Sequence, residues 1–340
     1  MSRRLLLDSS PGETRGVVLL DGQPERFLIE RPGLERGPRL GARYVARVTE
    51  LSGDRRLAFL DLGQDGPAVA AAGKDPVMAV GAVLDVEIVA EARSGKAAAV
   101  RRLGQGAGKA RLLQAAPALE TRLTGFASGA PLETGVEARE AADEAEDQAL
   151  ARLHDLGQGL SLSVEPTRAL TAIDVDWAAP GGIAAKAAFQ ANLRAIRHAV
   201  RLLRLKALGG AAVIDLLGFP GPGDALQAQA REALAPDGPG TTVLPVSRLG
   251  LLQLARPHGG RPVHELLLAV DGRLSARSVA QRLARAMERE GRADPGARIV
   301  GVCAGEVASE LSPLSDLMGP RFQVAAELGW DRLKTDILRS

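Results

Sequence analysis

The sequence is short of several features, and each shortage excludes a class of protein. Its 340 residues include one cysteine, Cys303, which excludes an internal disulfide and any zinc site built on several cysteines. No apolar run reaches the roughly 18 residues of a membrane-spanning helix, and the apolar run near the N-terminus is too short for a signal peptide. We therefore expect a cytoplasmic protein without a membrane segment.

Aromatic residues and net charge are also low. Aromatics make up 3% of the chain, so few side chains can stack on bases, and the net charge of +2 does not by itself require a nucleic-acid partner. The charges are unevenly distributed, because residues 133–147 are acidic and residues 194–206, "RAIRHAVRLLRLK", are basic. The four histidines show no metal-ligand spacing, and Cys303 lies in the apolar stretch "ARIVGVCAG", where we interpret it as a structural thiol.

Hydrophobic periodicity predicts a β module followed by α/β units. Short strands separated by turn residues over 39–103 are typical of a small barrel, of OB type among others. From residue 160 onwards strands alternate with helices, including a helix over about 184–208, which predicts parallel strands with a right-handed crossover. We divide the chain into N-terminal strands (1–38), the barrel (39–103), a shortened linker (104–135), a central α/β domain (136–256) and a small C-terminal α/β domain (257–340).

Two strands of the central domain contain aspartates. In "LTAIDVDW" (170–177), Asp174 and Asp176 point to the same side because side chains alternate along a strand, and Asp215 follows three apolar residues in "AAVIDLLG" (211–218). The strand around Asp174 reads as a buried one, in which an unpaired carboxylate is costly. The crossover can bring all three carboxylates to one edge of the sheet, where either some stay protonated or a cation neutralises them.

A hard divalent cation suits such an oxygen-only site, so we consider Mg²⁺, with Mn²⁺ as a substitute. The arginines of the neighbouring basic helix, Arg194, Arg197, Arg201 and Arg204, could attract a polyanion. Simpler alternatives remain open at this point. Each aspartate could cap a helix or pair with an arginine, and the arginines could only form the solvent face of their helix.

The same residues resemble a known family. The stretches "EPTRALTAIDVDW", "AAFQANLRAIRHAVRLLRLKALGGAAVIDLLG" and "VSRLGLLQLAR" resemble, in order over about 165–256, the catalytic core of the ribonuclease E/G family. The N-terminal stretch "GARYVARVTELSGDRRLAFLDLG" is similar to the OB-type RNA-binding barrel of that family, and "ARIVGVCAGEVASEL" to its small C-terminal domain.

The resemblance implies both a fold and an activity. The fold would be α/β, with a DNase I-like and RNase H-like catalytic core, an inserted OB-type barrel and a small C-terminal α/β domain. The activity would be Mg²⁺-dependent endonucleolytic cleavage of single-stranded RNA, in RNA processing or decay, with 5′-phosphate and 3′-hydroxyl products. By motif position, Asp174 and Asp215 match the metal-binding aspartates, Phe59 matches a base-stacking aromatic, and Lys96 matches a basic residue near the substrate.

Several positions depart from the family pattern. Asp176 replaces an asparagine that helps to hold the second aspartate, and Trp177 replaces the usual serine or threonine, where it could stack on a base or only pack. Most of the 5′-sensing region and the paired cysteines of a zinc link are missing, so we expect no 5′-phosphate sensing, no zinc and no zinc-linked oligomer. The oligomeric state is otherwise left open.

These departures leave a second functional hypothesis. The chain could be a catalytically degenerate RNA-binding or ribosome-associated relative, although the retained aspartates favour the enzyme. An unrelated Mg²⁺-dependent phosphatase or nuclease with similar strands is a third reading, which the ordered series of motifs disfavours.

Overall fold

The computed structural model describes residues 2–32, 37–54, 56–73, 77–93, 95–178, 184–218 and 221–340. These residues form a mixed α/β structure with four sheets, one of which closes into a five-stranded barrel, which confirms the predicted α/β character. No helix in these ranges is long and apolar enough to cross a membrane.

The elements are numbered in chain order. The strands are β1 (Arg3–Ser10), β2 (Glu13–Leu20), β3 (Gln23–Glu30), β4 (Arg43–Leu51), β5 (Leu57–Asp61), β6 (Pro67–Ala71), β7 (Val83–Ala90), β8 (Ala98–Gln105), β9 (Arg111–Gln114), β10 (Leu132–Glu133), β11 (Leu153–Gly157), β12 (Leu160–Pro166), β13 (Thr171–Trp177), β14 (Gly210–Asp215), β15 (Thr242–Val243), β16 (Leu251–Arg256), β17 (Ile299–Ala304), β18 (Phe322–Glu327) and β19 (Thr335–Arg339). The α-helices are α1 (Leu119–Thr124), α2 (Val136–Leu150), α3 (Ala185–Leu205), α4 (Gly223–Leu234), α5 (Val263–Leu267), α6 (Ala276–Ala293) and α7 (Gly305–Met318).

The N-terminal strands form an antiparallel sheet. Strands β1, β2 and β3 pair in sequence order, and β10 adds to β1 in parallel. A turn at "DGQ" joins β2 to β3, and both Asp21 and Gly22 have a positive φ there, as a tight hairpin turn with an Asp-Gly pair requires.

The barrel closes because β4 pairs with both β5 and β7, in the order β4-β5-β6-β8-β7. Strand β5 alternates strictly, so that its Ala58 and Leu60 are buried in the interior while Leu57 and Phe59 point outwards. The barrel is therefore a packed core with an exposed outer surface.

Residues 104–135 are more ordered than a glycine-rich linker suggests. Strand β9 pairs with β4 of the barrel, and helix α1 packs on the N-terminal sheet through Leu119 and Leu123, which are fully buried. The close approach of α1 requires a glycine at position 16, because a Cβ there would lie 2.7 Å from a Leu119 methyl group. This packing is long-range, so the local sequence did not indicate it.

The central sheet has the strand order β11-β12-β13-β14-β16-β15. Strands β13 and β14 are parallel and are joined through α3, which confirms the predicted crossover. Helix α3 packs on one face of this sheet with its buried residues, among them Ala195, Ile196 and Val200. The apolar stretch "TTVLPVS" contributes only the two-residue strand β15.

The C-terminal residues form a three-stranded sheet, β18-β17-β19, packed on α6 and α7. Buried ion pairs join helix α6 to the N-terminal sheet. Arg285 of α6 bonds to Glu13 of β2 and to Glu146 of α2, at 3.1 Å for the latter. The fully buried Arg15 bonds in turn to Asp8 at 2.6 Å.

Candidate active site

Asp174 and Asp215 lie opposite each other in the parallel ladder between β13 and β14. In both strands the residues before them, Ile173 and Ile214, are buried against α3, whereas the aspartates are exposed on the other face. Because neighbouring strands are about 4.8 Å apart, two residues in register present their side chains next to each other. The two carboxylates are thus neighbours on the face of the sheet that α3 leaves open.

This placement corrects the reading of β13 as a strand buried on both faces. Val175 is 5% exposed, but Asp174 and Asp176 belong to the exposed half of the alternation. The desolvation cost expected for a carboxylate in a strand core therefore does not arise here. As predicted, Asp174 and Asp176 point to the same side.

Asp176 does not join the pair as closely as the sequence suggested. It lies two residues beyond Asp174, opposite Ser161 of β12, and the β13–β14 ladder ends at Asp215. No group of three or more His, Cys, Asp or Glu side chains that could hold a metal ion occurs in the described ranges. The arrangement is a pair of carboxylates with a third one further along the strand, rather than a cluster of three.

The donor set of the pair fits one hard cation. Within the described part of the chain, Asp174, Asp176 and Asp215 have no hydrogen bond and no ion pair, so no protein cation offsets their charge. Two adjacent carboxylates repel each other unless a cation lies between them. Mg²⁺ commonly binds one or two protein carboxylates and keeps its other positions for water and phosphate oxygens, which is what the open face allows.

The segment after Asp215 is held by Asn192, the only asparagine of the sequence. Asn192 is fully buried on α3; its Nδ2 donates to the carbonyl of Leu217 at 3.2 Å, and its Oδ1 accepts from the N–H of Leu217 at 2.9 Å. Because Leu217 is two residues beyond Asp215, this clamp fixes the end of β14. The sequence analysis did not predict this contact. A single polar residue four positions before Ile196, on the apolar face of α3, could have indicated a buried hydrogen-bonding role for Asn192.

The arginines of α3 do not lie beside the carboxylates. Arg194 donates to the carbonyl of Leu156, and Arg197 donates to Oε1 of Gln229 at 3.2 Å. Arg201 donates to the carbonyl of Pro24. All three side chains belong to the helix that covers the opposite face of the sheet from the two carboxylates. RNA binding by these arginines therefore remains a prediction, and their position does not place them next to an RNA bound at the carboxylates.

Three further residues were predicted to contact RNA. Trp177 is half-buried, and its indole N–H donates to the carbonyl of Gln158 at 2.9 Å. Of its two predicted roles, base stacking or packing, these contacts correspond to packing. Phe59 is 36% exposed on the outer surface of the barrel. Lys96 is also exposed, and its positive charge is one of those that lower the pKa of His258.

Comparison with known proteins gives consistent matches. Residues 111–258 match the model of the ribonuclease E/G family. The chain is 32% identical to ribonuclease E of Escherichia coli over 155 residues, which is 42% of this chain and 15% of the relative. It is 29% identical to ribonuclease E of Haemophilus influenzae over 176 residues, which is 48% of this chain and 19% of the relative.

A third relative, ribonuclease E of a Nostoc species, is 31% identical over 123 residues, which is 35% of this chain and 18% of the relative. The chain therefore spans less than a fifth of the length of these three relatives. The matched segment contains both aspartates of the pair and the strands that hold them. Through this segment, the chain is similar to the ribonuclease E/G family.

Proposed function

We propose that the protein is an endoribonuclease that cleaves single-stranded RNA with the help of Mg²⁺ or Mn²⁺, leaving 5′-phosphate and 3′-hydroxyl ends. The observation that carries the proposal is the register of Asp174 with Asp215, which places two carboxylates without a protein cation side by side on an open sheet face. On this proposal the central sheet with its helices is the DNase I-like core of the family, and the N-terminal sheet belongs to the RNase H-like part.

The protein's own residues would hold the ion and present the substrate. A bound Mg²⁺ supplies Lewis-acid chemistry that lowers the pKa of a bound water and stabilises the charge formed at a phosphodiester. Asp174 and Asp215 would provide the two protein ligands, and the Asn192 clamp on Leu217 would keep the carboxylate of Asp215 in register with that of Asp174. Asp176, further along the same face, can accept but not donate hydrogen bonds, unlike the amide that the family has there.

The barrel would guide single-stranded RNA as an OB-type domain. Its outer surface presents the ring of Phe59, and the exposed ammonium of Lys96 adds positive charge. Stacking of a base on a protein aromatic stabilises binding by about 1–3 kcal/mol and tolerates any base. This is consistent with a preference for unstructured RNA rather than for one sequence.

The test replaces each carboxylate of the pair by the isosteric amide. Asp174→Asn and Asp215→Asn should each lower Mg²⁺-dependent cleavage of a 5′-labelled, unstructured RNA at least about a hundredfold, a loss of about 2.7 kcal/mol in transition-state stabilisation. Both side chains are exposed and have no described partner, so the unfolding midpoint should be unchanged.

A matched control is Asp316→Asn, which removes an exposed carboxylate of α7 in the C-terminal unit. This variant should cleave RNA within about twofold of the wild-type rate, as expected for a surface position. Wild-type cleavage by both Asp174→Asn and Asp215→Asn would refute the site. Salt-sensitive RNA binding by a wild-type protein that cleaves nothing in Mg²⁺ or Mn²⁺ would instead favour the RNA-binding hypothesis.

A further inference from the structure

A second candidate site is a cavity of about 440 Å³ between the N-terminal sheet, the barrel and the loop 257–261. It lies at the other end of the central sheet from the carboxylate pair. Arg256 on its wall pairs with Gly210 at the start of β14, five residues from Asp215. At about 3.3 Å per strand residue, the two sites are roughly 17 Å apart, so a ligand in the cavity does not contact the carboxylates.

The walls of the cavity have an excess of positive charge. Two carboxylates, Asp237 and Glu91, line it, and His258 has a pKa lowered to about 4 by burial and by neighbouring cations, so it is neutral near pH 7. The guanidinium groups that line it are those of Arg26, Arg39, Arg122, Arg204, Arg256 and Arg261. Six guanidinium groups against two lining carboxylates leave an excess of positive charge, which Glu25 and Glu30 behind the wall offset only in part.

On one side of the cavity, three arginines share Asp237. This carboxylate accepts from Arg204 at 2.9 Å and from Arg256 at 2.8 Å, but from Arg26 only at 3.4 Å. Arg204 also bonds to Glu25 behind the wall at 3.0 Å. Burial, together with the charges of Arg204 and Arg256, lowers the pKa of Arg26 to about 10. Arg26 is thus the least compensated of the three.

On the other side, Glu91 is already satisfied. It accepts from Arg39 at 3.1 Å and from the backbone N–H groups of Leu40 and Arg261 at 3.0 Å each. The guanidinium groups of Arg122 and Arg261 have no hydrogen bond or ion pair among the described residues, although both side chains are half-buried. Burial lowers the pKa of Arg122 and the nearby Arg39 adds to this effect, while the carboxylates of Glu91 and Glu30 oppose it. The guanidinium groups of Arg122 and Arg261 therefore line the cavity without a hydrogen-bonded carboxylate among the described residues.

We propose that this cavity binds the phosphate group of a nucleotide, with Arg122 and Arg261 as the principal donors. The planar guanidinium matches phosphate oxygens in a bidentate arrangement, and a phosphate monoester brings up to two negative charges to a wall with an excess of positive charge. The volume lies within the range of small-molecule sites, which is roughly 300–1,000 Å³.

The remaining wall can accommodate a nucleoside. Leu40 and Leu266 contribute apolar surface, and the ring of Phe126 lies 4.3 Å from the guanidinium of Arg26, which it helps to position. The nucleotide is either free in solution, where its phosphate is a monoester, or part of an RNA chain, where an internal phosphate is a diester with one negative charge. Both present anionic oxygens to the guanidinium groups. The proposal goes beyond nuclease activity, and it is tested by binding alone.

The first experiment measures binding of adenosine 5′-monophosphate by calorimetry, with inorganic phosphate and adenosine as comparison ligands. The double variant Arg122→Gln, Arg261→Gln should bind the nucleotide at least tenfold more weakly than the wild type, which corresponds to about 1.4 kcal/mol. Adenosine, which lacks the phosphate, should not bind. The control Arg298→Gln removes an exposed arginine of the C-terminal unit and should bind within about twofold of the wild type.

The second experiment separates the two sources of the nucleotide. Fluorescence anisotropy measures binding of a single-stranded RNA oligonucleotide with a 5′-hydroxyl. Weaker RNA binding by the double variant, with no binding of the free nucleotide by the wild type, assigns the cavity to a nucleotide within RNA. Weaker binding of free nucleotide assigns it to a small molecule.

Unchanged binding of both ligands by the double variant, or no binding of either by the wild type, overturns the proposal. The two guanidinium groups have no hydrogen bond or ion pair among the described residues, so the double variant and the Arg298→Gln control should unfold at the wild-type midpoint, measured by thermal denaturation. If the double variant does not fold, the single variant Arg261→Gln repeats the measurement. A nuclease-inactive protein that still binds nucleotide would separate this proposal from the one on the carboxylate pair.

Discussion

Replacement of Asn192 by alanine tests how the end of β14 is held. The change removes both hydrogen bonds to Leu217 and leaves its N–H and C=O groups without a partner in a segment where Leu217 is 8% exposed. Each buried polar group that loses its partner costs about 1–3 kcal/mol, so the free energy of unfolding should fall by about 2–6 kcal/mol. The lower value applies if water reaches the vacated space.

The assay is urea denaturation, combined with RNA cleavage at a temperature where the variant is fully folded. Cleavage should fall about tenfold or more, because the carboxylate of Asp215 is no longer fixed relative to Asp174, and small displacements of a reacting centre are costly. Gln190→Ala, at an exposed position of the same helix, is the control and should change stability by less than about 0.5 kcal/mol. A loss below about 1 kcal/mol in the Asn192 variant would refute the clamp.

Two further predictions concern buried charge. Arg15→Met leaves Asp8 and Glu146 buried without their shared guanidinium and should lower the free energy of unfolding by about 3–5 kcal/mol. The control Arg152→Met removes an exposed ion pair and should lower it by less than about 1 kcal/mol. Equal losses for the two variants in urea denaturation would contradict the argument. Burial lowers the pKa of His154 to about 4, so as the pH falls from about 6.5 towards 4 the unfolded chain takes up a proton that the folded one does not, and stability decreases. The wild type should therefore lose about 2 kcal/mol more than His154→Asn between pH 8 and pH 5, and identical pH profiles would exclude this origin.

Local alternation and crossover rules predicted much of the carboxylate pair. The two-residue spacing of Asp174 and Asp176 placed them on one side, and the helix between the strands implied that β13 and β14 are parallel. The face was misjudged because Ile173 and Val175 were weighed as evidence of a fully buried strand, when their alternation with aspartates indicates one open face. The sequence also could not predict the register between β13 and β14. This register places Asp174, and not Asp176, opposite Asp215.

The arginine cavity could not be foreseen from any local pattern. Its donors come from β3, from α1 and from the loop after β16, so Arg26, Arg122 and Arg261 meet only once three sheets have packed. Helix α1 itself was hidden in a stretch that reads as loop. The sequence does contain many arginines with no predicted role, although its net charge is only +2.

The bond between Glu13 and Arg285 joins residues 272 positions apart. A chain emerging from the ribosome has its first sheet long before α6 exists, and during that interval Glu13 and Glu146 lack a guanidinium that the finished structure gives them. Contacts of such sequence separation form slowly, because closing a long loop costs entropy before the contact stabilises anything. The N-terminal sheet thus reaches its final packing only after α6 has been synthesised, and an abortive product ending before residue 285 is expected to be a substrate for proteolysis.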